Sequence, residues 1–249
     1  MDKFGLQLYS IGKEIEERGF DDIFGMLAEC GYNCVEFAGF FDYTPEQMVE
    51  LCRKHALEPL SAHIGLHEIE EQLPFVDALG IKTVVIPWLS KESLFDKFDE
   101  TVEKIKKAQE LLEAHGAKLG YHNHAGEYED GADKVYDLLS AVPGLIAQPD
   151  IFWITVGGHD SVEMLKKYGE RVTVVHVKEL DNAWKPGESP RAYPSVVVGE
   201  GKANCKGAIE QAKKMGIDHF VLEAEGTFPG GVESYLKKCC DKMREYAKN

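Results

Sequence analysis

A chain of 249 residues, 44% hydrophobic and 29% charged, holds enough apolar material for a large core. Its formal net charge of −15, with no local basic cluster, repels nucleic-acid phosphates, and no apolar run approaches the ~20 residues that cross a bilayer. The opening MDKFGLQLYS lacks the sustained apolar stretch of a secretory signal. The six cysteines form neither a CxxC pair nor a finger-like spacing, so a cytoplasmic protein with reduced thiols is expected, with no nucleic-acid or membrane partner.

In chain order, short apolar runs alternate with amphipathic segments. Residues 4–10 read as a strand, and 20–30 as a helix with Ile23, Phe24 and Leu27 on one face. Residues 33–38 give the second strand, after which Thr44 caps a helix that starts on Pro45 and runs to about 55. A third strand at 60–64 leads to a helix at 66–79, and a fourth at 82–88 to the longest helical pattern, 93–115. The fifth strand covers 118–124 (KLGYHNH), with a helix at 132–141, and the sixth covers 145–153 (LIAQPDIFW), with a helix at 161–168. A seventh at 171–177 is followed by a polar loop, 180–202, and a helix at 205–215; the eighth, 219–225, precedes a last helix at 232–248. Strands joined by helices run parallel, and eight such pairs predict one α/β domain over 1–249, closed as a (β/α)8 TIM barrel. No GxGxxG turn follows the first strand to favour an open, doubly wound sheet.

Barrel enzymes build their sites at the C-terminal ends of the strands. Those positions here read Gln7 and Tyr9, Glu36, His63, Trp88, His122 with His124, Asp150 with Trp153, His176 with Lys178, and Glu223 with Glu225. One strand-end histidine means little; nearly every strand ending in a ligating or proton-transferring group points to a site. His122, Asp150, His176 and Glu223 come from strands five to eight, and a set of imidazoles and carboxylates suits one divalent ion: manganese, cobalt, iron, zinc or magnesium. In GEG at 199–201, glycines before a helix are a place where backbone N–H groups can meet an anion, and the polar loop before it suits a lid or a contact to a partner subunit or second copy.

The strings GLQLYS, VEFAG, SAH, LGYHNHAGEY, DIFW, HVKELD and VGEG, in this order over nearly the whole chain, resemble the sugar phosphate isomerase/epimerase group of xylose isomerase-like barrels, which includes inosose dehydratases and enzymes acting on 3-keto sugars. The resemblance implies a metal held by Glu, Asp, His and Glu, with Asp150, His176 and Glu223 matching the last three. At the first position this chain departs: His122 stands where glutamate is common and Glu127 lies a short way into the loop, which leaves open whether His122 ligates, Glu127 reaches in to replace the missing carboxylate, or the site binds metal more weakly. Gln148 also stands where relatives commonly carry a carboxylate.

Such a metal binds adjacent carbonyl and hydroxyl oxygens of a keto sugar and stabilises an enediolate after proton loss. Glu223, Glu127, His124 and His63 are candidate proton carriers, and Lys178 is a candidate to polarise an oxygen. Gln7 and Glu36 are expected to meet substrate hydroxyls, and Trp88 and Trp153 to stack on a sugar ring. Proton return gives epimerisation or isomerisation, whereas loss of a β-oxygen gives elimination, so an isomerase/epimerase leads and a lyase on inosose or 3-keto glycosides follows. An endonuclease IV-like nuclease and a non-catalytic sugar sensor are the rival classes.

Overall fold

The computed structural model describes residues 2–248. Its strands are β1 (Lys3–Gln7), β2 (Cys34–Phe37), β3 (Glu58–His63), β4 (Thr83–Ile86), β5 (Lys118–His122), β6 (Ile146–Gln148), β7 (Val175–Val177) and β8 (His219–Leu222). All neighbouring pairs are parallel, and β1 pairs with both β2 and β8, so the sheet curls round in the order β6, β5, β4, β3, β2, β1, β8, β7. Between β6 and β7 the ring is completed by two single bridges, Ala147 to Val172 and Asp150 to His176. The expected (β/α)8 barrel is present and nearly closed.

Helices α1 (Gly12–Cys30), α2 (Pro45–His55), α3 (Ile69–Leu79), α4 (Phe98–Ala114), α5 (Lys134–Ala141), α6 (Ile151–Val156), α7 (Ser161–Tyr168), α8 (Cys205–Lys214) and α9 (Val232–Tyr246) surround it. The cap expected at Thr44 is a reciprocal box: Thr44 Oγ1 accepts from the Gln47 N–H at 3.3 Å, and Gln47 Oε1 accepts from the Thr44 N–H at 2.8 Å. All six cysteines are free and buried; Cys239 and Cys240, on the inner face of α9, are core residues.

Three elements differ most from the sequence reading. The first strand stops at Gln7, not 10, and α1 begins at Gly12, not 20, because a polar first stretch with Ile15 as its one buried side chain precedes a break at Gly19 (φ 79°); the apolar period starts only beyond that break. The run DIFW, read as the end of strand six, is not extended: β6 ends at Gln148 and α6 takes over. Asp150 is the N-cap of α6, its Oδ1 accepting from the Trp153 N–H at 2.8 Å. Ile151, Phe152, Trp153 and Ile154 are all buried, so the helix carries no polar stripe to betray its period.

The GEG segment also finds its anion inside the chain. Glu179, buried just past β7, accepts from the N–H of Leu180 at 3.0 Å, Gly199 at 2.8 Å and Ala203 at 2.8 Å. These three bonds gather both ends of the 180–202 loop onto one carboxylate. A Cβ on Gly201 would collide with the Leu180 carbonyl and the Glu179 side chain, which fixes glycine there. Glu179→Ala is therefore expected to cost roughly 2–4 kcal/mol in urea unfolding, since it strips the acceptor from three N–H groups, and to open the loop to proteolysis.

Candidate active site

The ends of β5 to β8 bring His122, Asp150, His176 and Glu223 together. Each offers a donor atom within 4.8 Å of the others, and all four are buried. His122 is the last residue of β5, His176 the middle of β7, and Glu223 follows β8 with its N–H on the Val177 carbonyl at 3.1 Å. Asp150 is held from two sides: its backbone N–H donates to Asn123 Oδ1 at 2.9 Å while its Oδ1 caps α6. Its second oxygen, Oδ2, is left buried with no partner, as is Nδ1 of His122. Across the cluster, His176 Nδ1 lies 3.1 Å from Glu223 Oε2 and 4.0 Å from Asp150 Oδ2, and Lys178 Nζ lies 3.0 Å from Glu223 Oε1.

Burial weakens most of the charges here, and neighbours restore some of them. Burial alone would push the His176 imidazole down, but Glu36 and Glu223 outweigh it and hold it at about 10. Glu36 is likewise opposed by burial yet kept at about 2 by His63, His176 and the Ser61 hydroxyl. Asp150 is raised, first by burial and then by the charge of Glu223; Glu223, despite its own burial, is held low by Lys178 and His176. Burial takes His124 down to about 4 and His122 well below the usual imidazole range, so both rings are neutral at pH 7.

The cluster opens into a cavity of about 840 Å³ at the C-terminal mouth, lined among others by His63, His122, His124, Trp88, Trp153 and Glu223. Trp88 stands 61% exposed at its edge, whereas Trp153 is buried with its ring against His124 at 4.9 Å. Lys178 is placed behind Glu223, bridging it to Glu225 at 3.1 Å and resting over the Phe152 and Trp153 rings. Other predicted residues are not brought to the cavity. Gln7 and Glu36 are fully buried beneath it and bonded to each other at 2.7 Å, which leaves neither free for a hydroxyl. Glu127 does not join the cluster either: Tyr121 donates its hydroxyl to one oxygen, and the His124 N–H donates to the other at 3.0 Å. Of the two, His122 is the one whose side chain joins the cluster.

Sequence reasoning missed Asn123 and Arg191. Asn123 is the middle residue of HNH and ties the end of β5 to that of β6; its place between two singled-out histidines was the available signal. Arg191, from the 180–202 loop, reaches the mouth, pairs with Glu225 at 2.7 Å and covers the Trp153 ring at 5.1 Å. Nothing in an aperiodic loop marks it out.

The residues present fit a divalent ion: four converging O and N donors, two carboxylates, and two donor atoms that burial leaves without any protein partner. Residues 24–246 match the model of the xylose isomerase-like TIM barrel family, and the chain belongs to that family. Among curated relatives it is 23% identical over 190 residues to an inosose dehydratase of Geobacillus kaustophilus, covering 64% of this chain and 62% of that one. Its fold is similar to a sugar phosphate isomerase/epimerase from Parabacteroides distasonis (TM-score 0.80, 20% identity, 99% and 94% of the two chains). It is also similar to a probable 3-DHS dehydratase from Bacillus anthracis (TM-score 0.74, 17% identity, 97% and 98%). No helix among the described residues is long and apolar enough to cross a membrane.

The buried pair gives the metal-free protein two limbs of pH dependence. Glu36, depressed to about 2, contributes stability that is complete above its unfolded value of 4.5 and lost as pH falls through 2, about 3 kcal/mol in all. His176, raised to about 10, contributes stability that is complete below 6.5 and lost as pH rises through 10. Urea midpoints measured from pH 2 to 10 should fall at both ends, and Glu36→Gln should flatten the acid limb.

Proposed function

We propose that the protein is a divalent-metal-dependent enzyme acting on a keto sugar or polyol through an enediolate. The observation that carries this reading is the buried cluster of His122, Asp150, His176 and Glu223, with Oδ2 of Asp150 and Nδ1 of His122 unpartnered at the floor of a sugar-sized cavity. These four residues would hold the ion, which supplies, when bound, positive charge for neighbouring carbonyl and hydroxyl oxygens.

The chain's own groups provide the rest. His124 lines the cavity as a neutral imidazole, the form that can take a proton from a substrate carbon. His63, also on the wall, is placed to return one. Lys178 keeps Glu223 ionised and so holds it as a ligand instead of a proton donor. Trp88 offers an exposed aromatic face to the C–H side of a ring, and Arg191 and Glu225 supply hydrogen bonds at the rim. Glu127 is assigned to holding the 124–127 turn, not to catalysis.

Proton return defines an isomerase or epimerase. The matches to an inosose dehydratase and a probable 3-DHS dehydratase favour a second outcome from the same deprotonated state, loss of a β-hydroxyl as water.

Purified protein is expected to carry about one divalent ion per chain, removable by chelator, with uptake abolished in Asp150→Ala and His176→Ala. Uptake should release protons, because the His176 proton on Nδ1 must leave. Full stoichiometry in both variants would remove the proposed ligands. For the reaction, keto sugars incubated with the loaded enzyme in D2O and followed by NMR should exchange one C–H: without net loss of water for an isomerase or epimerase, with formation of an enone for a dehydratase. His124→Ala should slow that exchange at least about 100-fold while metal content stays at one. Absence of exchange with every keto sugar tried would point instead to a sugar sensor.

A further inference from the structure

Glu36 is a fully buried carboxylate that no substrate atom can approach, yet four donors converge on it. Oε1 receives Gln7 Nε2 at 2.7 Å and His176 Nε2 at 2.6 Å, with His63 Nε2 nearby at 3.1 Å. Oε2 receives Ser61 Oγ at 2.5 Å and Gln148 Nε2 at 2.6 Å. A carboxylate so surrounded is acceptor only, so each neighbour must turn a hydrogen toward it. The consequence reaches past the direct contacts. With its amide N–H₂ committed to Glu36, Gln148 presents its carbonyl oxygen to His63 Nε2 at 2.7 Å, and that nitrogen must again be the donor.

We propose that Glu36 is a positioning residue that places the ring proton on Nε2 of both His176 and His63, leaving Nδ1 of each as the lone pair offered to the centre. For His176, Nδ1 is the nitrogen on the side of Glu223 and Asp150, where a metal ligand is needed. For His63, which lines the cavity, Nδ1 is the nitrogen without a protein partner among the described residues, and it is the atom placed to move a proton. The two rings lie stacked, centroids 5.2 Å apart and 12° from parallel, so one acceptor orders both at once. A ligating histidine is commonly held in this way by an outer carboxylate that fixes its tautomer and orientation; here the same carboxylate also governs, through Gln148, a second histidine. The inference rests on the reading of His176 as a ligand.

Two-bond 1H–15N correlation spectra of the full chain, labelled at histidine and loaded with zinc, read the tautomers directly. Both His176 and His63 are expected in the Nε2–H form. In Glu36→Gln, an amide that cannot accept from all four donors, at least one ring should lose that form, and chelator competition should show zinc held about 10- to 100-fold more weakly while circular dichroism stays native. Zinc uptake with the proton on Nδ1 of His63 overturns the proposal and leaves the ligand reading standing. A Glu36→Gln protein with unchanged tautomers and zinc affinity does the same, whatever its melting temperature. Wild-type protein that takes up no zinc overturns both. If Glu36→Gln does not fold, the wild-type spectrum decides alone.

Discussion

His176 touches two carboxylates at once, Glu36 through Nε2 at 2.6 Å and Glu223 through Nδ1 at 3.1 Å. That double contact joins the floor of the barrel, where β1, β2 and β3 contribute Gln7, Glu36 and Ser61, to the mouth, where β5 to β8 contribute the donor cluster. Breaking either half would strand a buried charge, a far larger penalty than the modest net worth of the bond itself. Within an otherwise apolar core, a chain of mutually satisfying polar groups thus ties these strands together. Such a chain is all-or-nothing: complete, it gives one geometry, and incomplete, it costs several kcal/mol.

A parallel barrel lends itself to this arrangement because every strand points the same way. A polar residue near a C-terminal strand end is delivered to the same shared mouth whichever stave it comes from. His122, Asp150, His176 and Glu223 are separated by 101 positions in sequence from first to last, yet their donor atoms share one small volume. The short 124–127 turn and the three N–H groups on Glu179 do the complementary work of keeping loops from filling that volume.

The fold was legible because periodicity and helix caps are local signals: the cap at Thr44 and the apolar run of β4 are decided by neighbours in sequence. The convergence of the strand-end residues was legible as well, since the strand count implies where those ends meet. What could not be read was who satisfies whom. Glu36 was expected to meet substrate hydroxyls because nothing near it in sequence announces Gln7, Ser61, Gln148 and His176 as partners, and Glu127 stood as an alternative ligand because nothing in LGYHNHAGEY tells that the chain turns to bring the Tyr121 hydroxyl and the His124 N–H onto it. The DIFW stretch failed for a different reason: four consecutive buried side chains are compatible with both a strand and a helix, and only the capping geometry of Asp150 separates them.

The ring of strands has one thin place, the seam between β6 and β7, where Ala147 to Val172 and Asp150 to His176 are the bridging pairs and the His176 N–H reaches the Pro149 carbonyl at 3.0 Å. The residues facing each other across that seam are two of the four clustered donors. Any guest gripping Asp150 and His176 together therefore acts as a clasp on the cylinder, and its occupancy is linked through mass action to how tightly the wall is shut. Ligand capture and the mechanical integrity of the scaffold meet in a single pair of opposed residues.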